Sequence, residues 1–243
     1  MLDQVLKSPW DIGIEVPLLL LVLVALEAVL SADNAIALAA IARGLEEGKL
    51  QQQALNFGLL AAYFLRISLI LTATWIVQFW QFELLGAAYL LWLVYEYFTS
   101  SEDEENHHHG PRFTSLWQAI PIIAVTDLAF SLDSVTTAIA ISEKTWLVLA
   151  GGTIGVITLR FMAGLFIRWL KEYVHLEDAG YITVGFVGLR LLVRAINPEW
   201  VPPEVLMIAA IALVFTWGFS KRTDSDSLAE SEFDSLPQGE FNE

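Results

Sequence analysis

The sequence contains no cysteine and few basic residues, and these two shortages exclude several classes of protein. Without Cys there is no disulfide, no thiolate metal site and no cysteine nucleophile. Lys and Arg number 13 against 28 Asp and Glu, giving a formal charge of -15, so no nucleic-acid partner is expected. Residues 1–15 lack the basic region and small-residue cleavage site of a secretory signal, so we expect the first hydrophobic run to stay in the mature protein.

Apolar residues, by contrast, are abundant throughout the chain. They make up 56% of 243 residues, with 9 Trp and 14 Phe, which is too apolar for an ordinary soluble domain. A bilayer core of about 30 Å requires about 20 apolar residues per helix, and runs of that length recur between short polar breaks. We predict an all-α polytopic membrane protein with seven transmembrane helices. They cover residues 17–42, 54–77, 82–98, 116–141, 145–169, 180–196 and 203–219.

The basic residues of the loops predict the orientation of the chain. Loops rich in Lys and Arg stay in the cytoplasm. An N-out, C-in topology places seven basic residues inside, at Arg43, Lys49, Arg112, Arg168, Lys171, Lys221 and Arg222. It leaves three outside, at Lys7, Lys144 and Arg194.

A short acidic motif in the first span is repeated in the fourth. Its residues are Glu27, Ser31, Asp33 and Asn34 in the first copy and Asp127, Ser131, Asp133 and Ser134 in the second. Arg66 and Arg160 also recur, in the spans that follow. We therefore predict two three-helix repeats, 17–98 and 116–196, followed by the seventh helix, 203–219. Because each repeat has an odd number of spans, the second is inverted, as in many secondary transporters with a midplane site.

Two polar stretches lie outside the repeats. The loop 99–115 contains an acidic run and then His107, His108 and His109. It is either a flexible solvated connector or a site that captures divalent ions on the cytoplasmic side. The tail 220–243 is rich in Asp, Glu and Ser, and we expect it to be disordered.

The acids of the two motifs require partners. A charged residue at the centre of a membrane helix costs about 3 kcal/mol, so these side chains must face one another, a counter-charge or water. Glu27, Ser31 and Asn34 share one helix face, whereas Asp33 lies roughly 120° away. Asp33 therefore faces another neighbour, or the helix unwinds there and exposes backbone carbonyls. Glu27 and Asp127 are expected near mid-membrane, with Asp33 and Asp133 toward opposite exits.

Oxygen ligands of this kind predict a site for a hard divalent cation. Mn²⁺, Ca²⁺ and Mg²⁺ suit such a site, whereas Cu(I) and Zn²⁺ prefer thiolate or imidazole, which the spans lack. When the ion leaves, clustered carboxylates should bind protons, because desolvation and like charges disfavour their charged form. This predicts exchange of a cation for protons, with no permanently bound cofactor. Alternatively, the acids pair with Arg66, Arg160 or Arg190 to fix helix packing, or Arg66 and Arg160 occupy them as gates when the ion is gone.

At these two motifs the chain resembles the TerC family of integral membrane proteins, within the lysine-exporter superfamily. The resemblance covers about residues 17–219. It implies manganese export, or in some members calcium export, and a bacterial inner membrane or thylakoid location. The transport-site residues that it implies are Glu27, Asp33, Asn34, Asp127, Asp133 and Ser134. The family's other label, tellurite resistance, fits less well, because an oxyanion would need converging basic groups rather than acids.

Two rival functions remain. An intramembrane aspartic protease would need Asp33 and Asp133 side by side, but their offset separates them, and the chain has no His-Glu-x-x-His zinc motif. We therefore predict no enzymatic activity. A non-transporting membrane-protein assembly or maturation factor is the second rival, and it predicts that Asp33→Asn and Asp133→Asn remain functional. The residues leave open the oligomeric state and the choice between Mn²⁺ and Ca²⁺.

Overall fold

The computed structural model describes residues 15–45, 47–76, 79–99, 113–141 and 144–222, and within the helices it leaves undescribed the side chains of residues 15, 16, 19, 26–30, 32, 33, 74 and 204. The described ranges form seven α-helices and one 3₁₀ turn, and they contain no strand. The helices are α1 (Glu15–Arg43), α2 (Gly48–Ile76), α3 (Trp80–Thr99), α4 (Leu116–Ile141), α5 (Thr145–Glu172), α6 (Leu176–Ile196) and α7 (Glu204–Gly218), with the 3₁₀ turn at Pro198–Trp200. The all-α prediction is confirmed.

Among the residues that the structure describes, four stretches are long and apolar enough to cross a membrane, namely Gly48–Ala73, Leu116–Ile141, Thr145–Glu172 and Leu176–Ile196. Two shorter apolar helices, Asn34–Arg43 and Val205–Gly218, belong to α1 and α7. The seven helices lie at the seven predicted positions, while the number of spans stays a prediction. The loop 99–115 lies outside the described residues except at its ends, and the tail lies outside them beyond residue 222.

Local sequence explains where several helices begin and end. The first turn of α6 carries Glu177 and Asp178, and acids at a helix N-terminus interact favourably with its dipole. At the other end of α6, the Asn197 side chain accepts a hydrogen bond from the backbone N–H of Glu199, at 3.0 Å, which caps the 3₁₀ turn. Pro203 precedes α7 in extended conformation and thus fixes the start of that helix.

The helices pack in three main pairs, α1 with α5, α2 with α4, and α3 with α6. Small residues allow close approach, as in many membrane bundles. A Cβ atom on Gly58 of α2 would lie 2.6 Å from the side chain of Ile123 on α4. Contacts at both ends show that α1 runs parallel to α5, since Leu23 faces Gly151 and Arg43 binds the carbonyl of Leu170.

The α3–α6 pair is antiparallel, because Glu83 contacts Arg194 near one end and Tyr97 contacts Asp178 near the other. We call these two ends of the bundle the Glu83 end and the Arg43 end. The predicted N-out topology places the Arg43 end in the cytoplasm.

Large apolar side chains cover the outside of the bundle. Among the most exposed are Trp117 at 83%, Val205 at 77% and Phe161 at 76%. A surface of this kind belongs in lipid rather than in water. The polar residues that matter for function are consequently found between the helices.

Candidate functional site

Asp127 lies at the centre of α4 and is completely buried. Its Oδ1 is 3.4 Å from Nη2 of Arg66 on α2, which is also buried, and its Oδ2 is 3.4 Å from Oγ of Ser131. Ser131 donates a shorter hydrogen bond, 2.7 Å, to the backbone carbonyl of Asp127. Charge-assisted N–H···O bonds are normally about 2.7–2.9 Å long. Within the described part of the chain, the Asp127 carboxylate is therefore held only by long contacts.

Asp133, two turns further along α4, has much tighter contacts. Its Oδ2 accepts from Nη1 of Arg190 at 2.5 Å, and its Oδ1 accepts from Nη1 of Arg194 at 2.7 Å. Arg194 also lies 3.5 Å from Oε1 of Glu83, measured from its Nε. Two acids and two arginines thus form a charge network of α3, α4 and α6 at the Glu83 end.

Three smaller members of the motifs, Ser31, Asn34 and Ser134, are also buried. The Ser31 hydroxyl has no hydrogen-bond partner among the described residues. Helix α1 is unbroken from Glu15 to Arg43, so its backbone does not open at residues 31–34, which was one of the two arrangements considered for Asp33. The side chains of Glu27 and Asp33 lie outside the described part, and their positions in the site stay a prediction.

A cavity of about 10 Å³ lies where α1, α2, α4 and α5 meet. Its polar lining groups are Arg66 on α2 and Ser134 on α4. Leu23 on α1 and Gly152 on α5 also line it. A cavity of this volume holds roughly one water molecule. The core beside the Arg66–Asp127 pair thus has room for a small polar occupant.

Arg160, the counterpart of Arg66 in the sequence repeat, lies in different surroundings. Its Nε donates to Oδ1 of Asn56 at 2.5 Å and its Nη2 donates to Oε1 of Gln52 at 2.9 Å. Both partners are neutral amides on α2. The structure thus joins Arg66, but not Arg160, to a motif acid whose side chain is described.

A second group of charges closes the Arg43 end. Arg43 donates to Oε2 of the buried Glu177 at 2.7 Å and to the carbonyl of Leu170 at 2.9 Å. The hydroxyl of Tyr97 donates to Oδ1 of Asp178 at 2.7 Å. These contacts join α1, α3 and α5 to the first turn of α6.

Sequence reasoning overlooked Glu83 and Glu177 as interior acids. Glu83 could have been found by the criterion applied to the motifs, because it is an acid inside an apolar run. Among the side chains that the structure describes, no three acidic or histidine groups lie close enough to hold a metal ion. His107, His108 and His109 are outside the described residues, so their role in ion capture stays a prediction.

Comparisons with known proteins give the family. A model described as "Integral membrane protein TerC family" matches residues 13–225. The chain is 36% identical over 197 residues to the uncharacterized membrane protein YceF of Bacillus subtilis, covering 78% of this chain and 76% of that protein. It is 30% identical over 187 residues to the UPF0053 inner membrane protein YgdQ of Escherichia coli, covering 71% and 78%.

A plant relative, the chloroplastic thylakoid membrane protein TERC of Arabidopsis thaliana, is 25% identical over 171 residues, covering 58% of this chain and 44% of that protein. No solved structure matches the chain. The relatives therefore include proteins of the bacterial inner membrane and of the thylakoid. The resemblance inferred from the two acidic motifs is confirmed: this chain belongs to the TerC family of integral membrane proteins.

Proposed function

We propose that this protein exports a divalent cation from the cytoplasm, Mn²⁺ in the first place and Ca²⁺ as the alternative, in exchange for protons. The observation that carries the proposal is the Asp127 carboxylate, which is completely buried yet makes no contact shorter than 3.4 Å with a described side chain. A buried carboxylate normally has short hydrogen bonds or close counter-charges. Its surroundings suit a cation that is bound only in part of a transport cycle.

The contrast with Asp133 supports the choice of Asp127 as the central ligand. Two arginines hold the Asp133 carboxylate at 2.5 and 2.7 Å, so a cation would have to displace both. At Asp127, the counter-charge among the described side chains is Arg66, whose Nη2 lies 3.4 Å from the carboxylate. Asp133 and its network would then lie on the path between Asp127 and the outside, as the N-out topology predicts.

The other proposed ligands add hard oxygen donors. Ser31 is buried without a described hydrogen-bond partner, and Asn34 and Ser134 are buried in the same bundle. Glu27 and Asp33 complete the proposed set, as the family resemblance implies. Carboxylate, amide and hydroxyl oxygens suit Mn²⁺ and Ca²⁺ better than Zn²⁺ or Cu(I).

The helix packing supports the proposed inverted repeats. The proposed repeats relate α1 to α4, α2 to α5 and α3 to α6. Under this exchange the pair of α1 with α5 becomes the pair of α4 with α2, and the pair of α1 with α6 becomes the pair of α4 with α3. All four of these pairs are in contact, while α3–α6 maps onto itself. Many transporters with inverted repeats bind their ion where the two units meet. Asp127 and Arg66 lie on α4 and α2, which belong to different proposed units.

Arg66 gives this site a simple exchange mechanism. Without the cation, the Arg66 guanidinium supplies positive charge beside Asp127 and lowers the cost of burying the carboxylate. When the cation binds Asp127, its charge repels the guanidinium, which lines the small adjoining cavity. When the cation leaves, Arg66 again faces Asp127, and protons taken up by the other proposed carboxylates replace the rest of the cation's charge. The cation and the Arg66 guanidinium therefore alternate at the Asp127 carboxylate.

The test is uptake of Mn²⁺ or Ca²⁺ into liposomes containing the purified protein, with the internal pH recorded. We expect cation movement with an opposing proton movement. Asp127→Asn should lower the initial rate by more than about tenfold, because it removes the proposed central ligand. The double variant Asp33→Asn, Asp133→Asn should also be inactive, whereas Glu199→Gln, on the exposed 3₁₀ turn, should transport normally.

Two results would change this conclusion in different ways. Equal uptake by the original protein and by both motif variants would remove the transport function. Cation uptake without an opposing proton signal would keep the exporter and remove proton exchange.

An assembly or maturation factor for other membrane proteins is the second candidate. The observation that favours it is that the buried acids Asp127, Asp133 and Glu177 all face arginines, as structural ion pairs do. The neutral double variant Asp127→Asn, Arg66→Gln separates the two functions. A structural pair can be replaced by neutral groups, so an assembly factor should stay active, while an exporter should stay inactive even if the variant folds.

A further inference from the structure

A groove of about 400 Å³ runs between α2 and α5 on the outer face of the bundle. Its apolar walls include Leu60, Ile157 and Phe161, which are between 52% and 76% exposed. A hydrogen bond of 3.1 Å between Tyr63 and Thr153 lies toward the Glu83 end of the groove. The volume falls within the range of small-molecule sites, about 300–1,000 Å³, and the apolar walls suit a hydrocarbon chain.

Arg160 lies in the same groove, toward the Arg43 end. Its described hydrogen bonds go to the neutral amides of Asn56 and Gln52, and no carboxylate of the described chain forms an ion pair with it. The guanidinium therefore keeps a full positive charge on a surface that faces lipid. Charged groups inside the hydrocarbon region are rare because they are costly without a counter-charge.

The geometry directs this charge toward the headgroup region. Arg160 is about 18 Å from the end of α5 at Glu172, at 1.5 Å per residue. Its partner Gln52 is in the second turn of α2, about 6 Å from the start of that helix. The side chain thus extends toward the Arg43 end, as a snorkelling arginine does. Gly164 leaves room for it, since a Cβ there would lie 3.0 Å from Nη1 of Arg160.

We propose that this groove is a binding site for an anionic phospholipid from the leaflet at the Arg43 end. The lipid phosphate binds the Arg160 guanidinium, and one acyl chain lies along Leu60, Ile157 and Phe161. Charge complementarity selects this occupant, because the groove offers one unneutralised cation and apolar walls. Basic pockets between membrane helices on the cytoplasmic side bind anionic headgroups in the same way. The site is separate from Asp127 and does not depend on the proposed transport function.

The test is native mass spectrometry of the purified full chain with phosphatidylglycerol, with phosphatidylcholine, and with inorganic phosphate as separate probes. We expect phosphatidylglycerol to be retained in preference to phosphatidylcholine. Arg160→Gln should weaken its retention about tenfold, the effect of one charged hydrogen bond. The matched control is Arg168→Gln on the same helix, an exposed arginine outside the groove lining, which should retain the lipid.

A second variant tests the groove without changing charge. Ile157→Trp places a larger ring in the groove at a position 54% exposed, so folding should be unaffected while lipid retention falls. Equal losses for Arg160→Gln and Arg168→Gln would overturn the proposal, because they would indicate general surface attraction. Binding of inorganic phosphate as strong as that of the lipid would also overturn it. So would an Ile157→Trp variant that keeps its lipid but separates a dimer into monomers, because a second copy of the chain would then occupy the groove.

Discussion

The charge network at the Glu83 end predicts a strong coupling between Asp133 and Arg190. Asp133, Glu83, Arg190 and Arg194 together are neutral, and the Asp133–Arg190 contact of 2.5 Å lies between side chains that are 6% and 9% exposed. Asp133→Asn removes the carboxylate that Arg190 and Arg194 both contact. Arginine cannot release its charge in a protein, so both guanidinium groups stay charged after losing this carboxylate. Arg190→Gln leaves two acids facing Arg194, and an acid can bind a proton.

The expected magnitudes follow from the burial of the pair. Removing one partner of a buried ion pair costs about 3–5 kcal/mol. For a chain of this length, each kcal/mol lowers the melting temperature by about 2–4 °C, so each single variant should lose about 10 °C. The double variant Asp133→Asn, Arg190→Gln removes one charge of each sign and keeps the Arg194–Glu83 contact of 3.5 Å. It should therefore lose much less stability than the two single variants lose together, which corresponds to a coupling free energy of at least about 2 kcal/mol between Asp133 and Arg190.

Thermal unfolding of the detergent-solubilised protein measures this cycle. Lower pH should restore part of the stability of Arg190→Gln, because a proton can neutralise the excess acid, but none of that of Asp133→Asn. The control is the exposed pair Glu172–Arg222, at 3.0 Å and 50% and 69% exposed, where Arg222→Gln should leave the melting temperature almost unchanged. Additive losses in the Asp133–Arg190 cycle, or a loss of the same size at Arg222, would refute the reasoning.

Two further substitutions probe the bundle with the same unfolding measurement. Gly58→Ala should destabilise the fold by about 1–3 kcal/mol, because the new Cβ would lie 2.6 Å from the branched side chain of Ile123. Gly48→Ala is the control and should be neutral, since a Cβ there would have nothing within 4 Å. Equal effects of the two substitutions would contradict the close α2–α4 packing. Arg43→Gln should lower the free energy of unfolding by about 1.5–3 kcal/mol, because it removes the 2.7 Å hydrogen bond to the buried Glu177 carboxylate. An unchanged melting temperature would show that this contact does not hold the Arg43 end together.

The helices could be predicted from the sequence because a backbone in hydrocarbon has no water to bind its polar groups. A continuous apolar run must satisfy its own hydrogen bonds, and a helix does so within the segment. The predicted span 116–141 coincides with α4, Leu116–Ile141. The start of the second span was placed too late, at residue 54, whereas α2 begins at Gly48. The predicted span excludes the polar residues 51–53, because it was defined by its apolar run, although these residues belong to the same helix.

The partners of the interior charges were harder to predict, because partner choice depends on packing rather than on composition. The loop charges predict that Arg194 lies on the outer side, but they do not predict that it contacts both Asp133 and Glu83. Arg190 and Arg194 are four residues apart and so share one helix face, but this spacing does not show that Asp133 of another helix lies opposite them. The same limit applies to Glu177, whose partner Arg43 is far away along the chain.

The two arginines of the proposed repeat lie in different surroundings. Arg66 faces Asp127 in the core and is 2% exposed, whereas Arg160 contacts two amides at the lipid-facing groove. An exact inverted copy would give both arginines the same kind of partner and would make the two directions of transport energetically alike. With the arginines in different surroundings, moving Arg66 disturbs a buried carboxylate, while moving Arg160 breaks only contacts to neutral groups. If the protein transports a cation as we propose, the two halves of the cycle would therefore require different free energies, and Arg66 would control the half in which the cation enters or leaves Asp127.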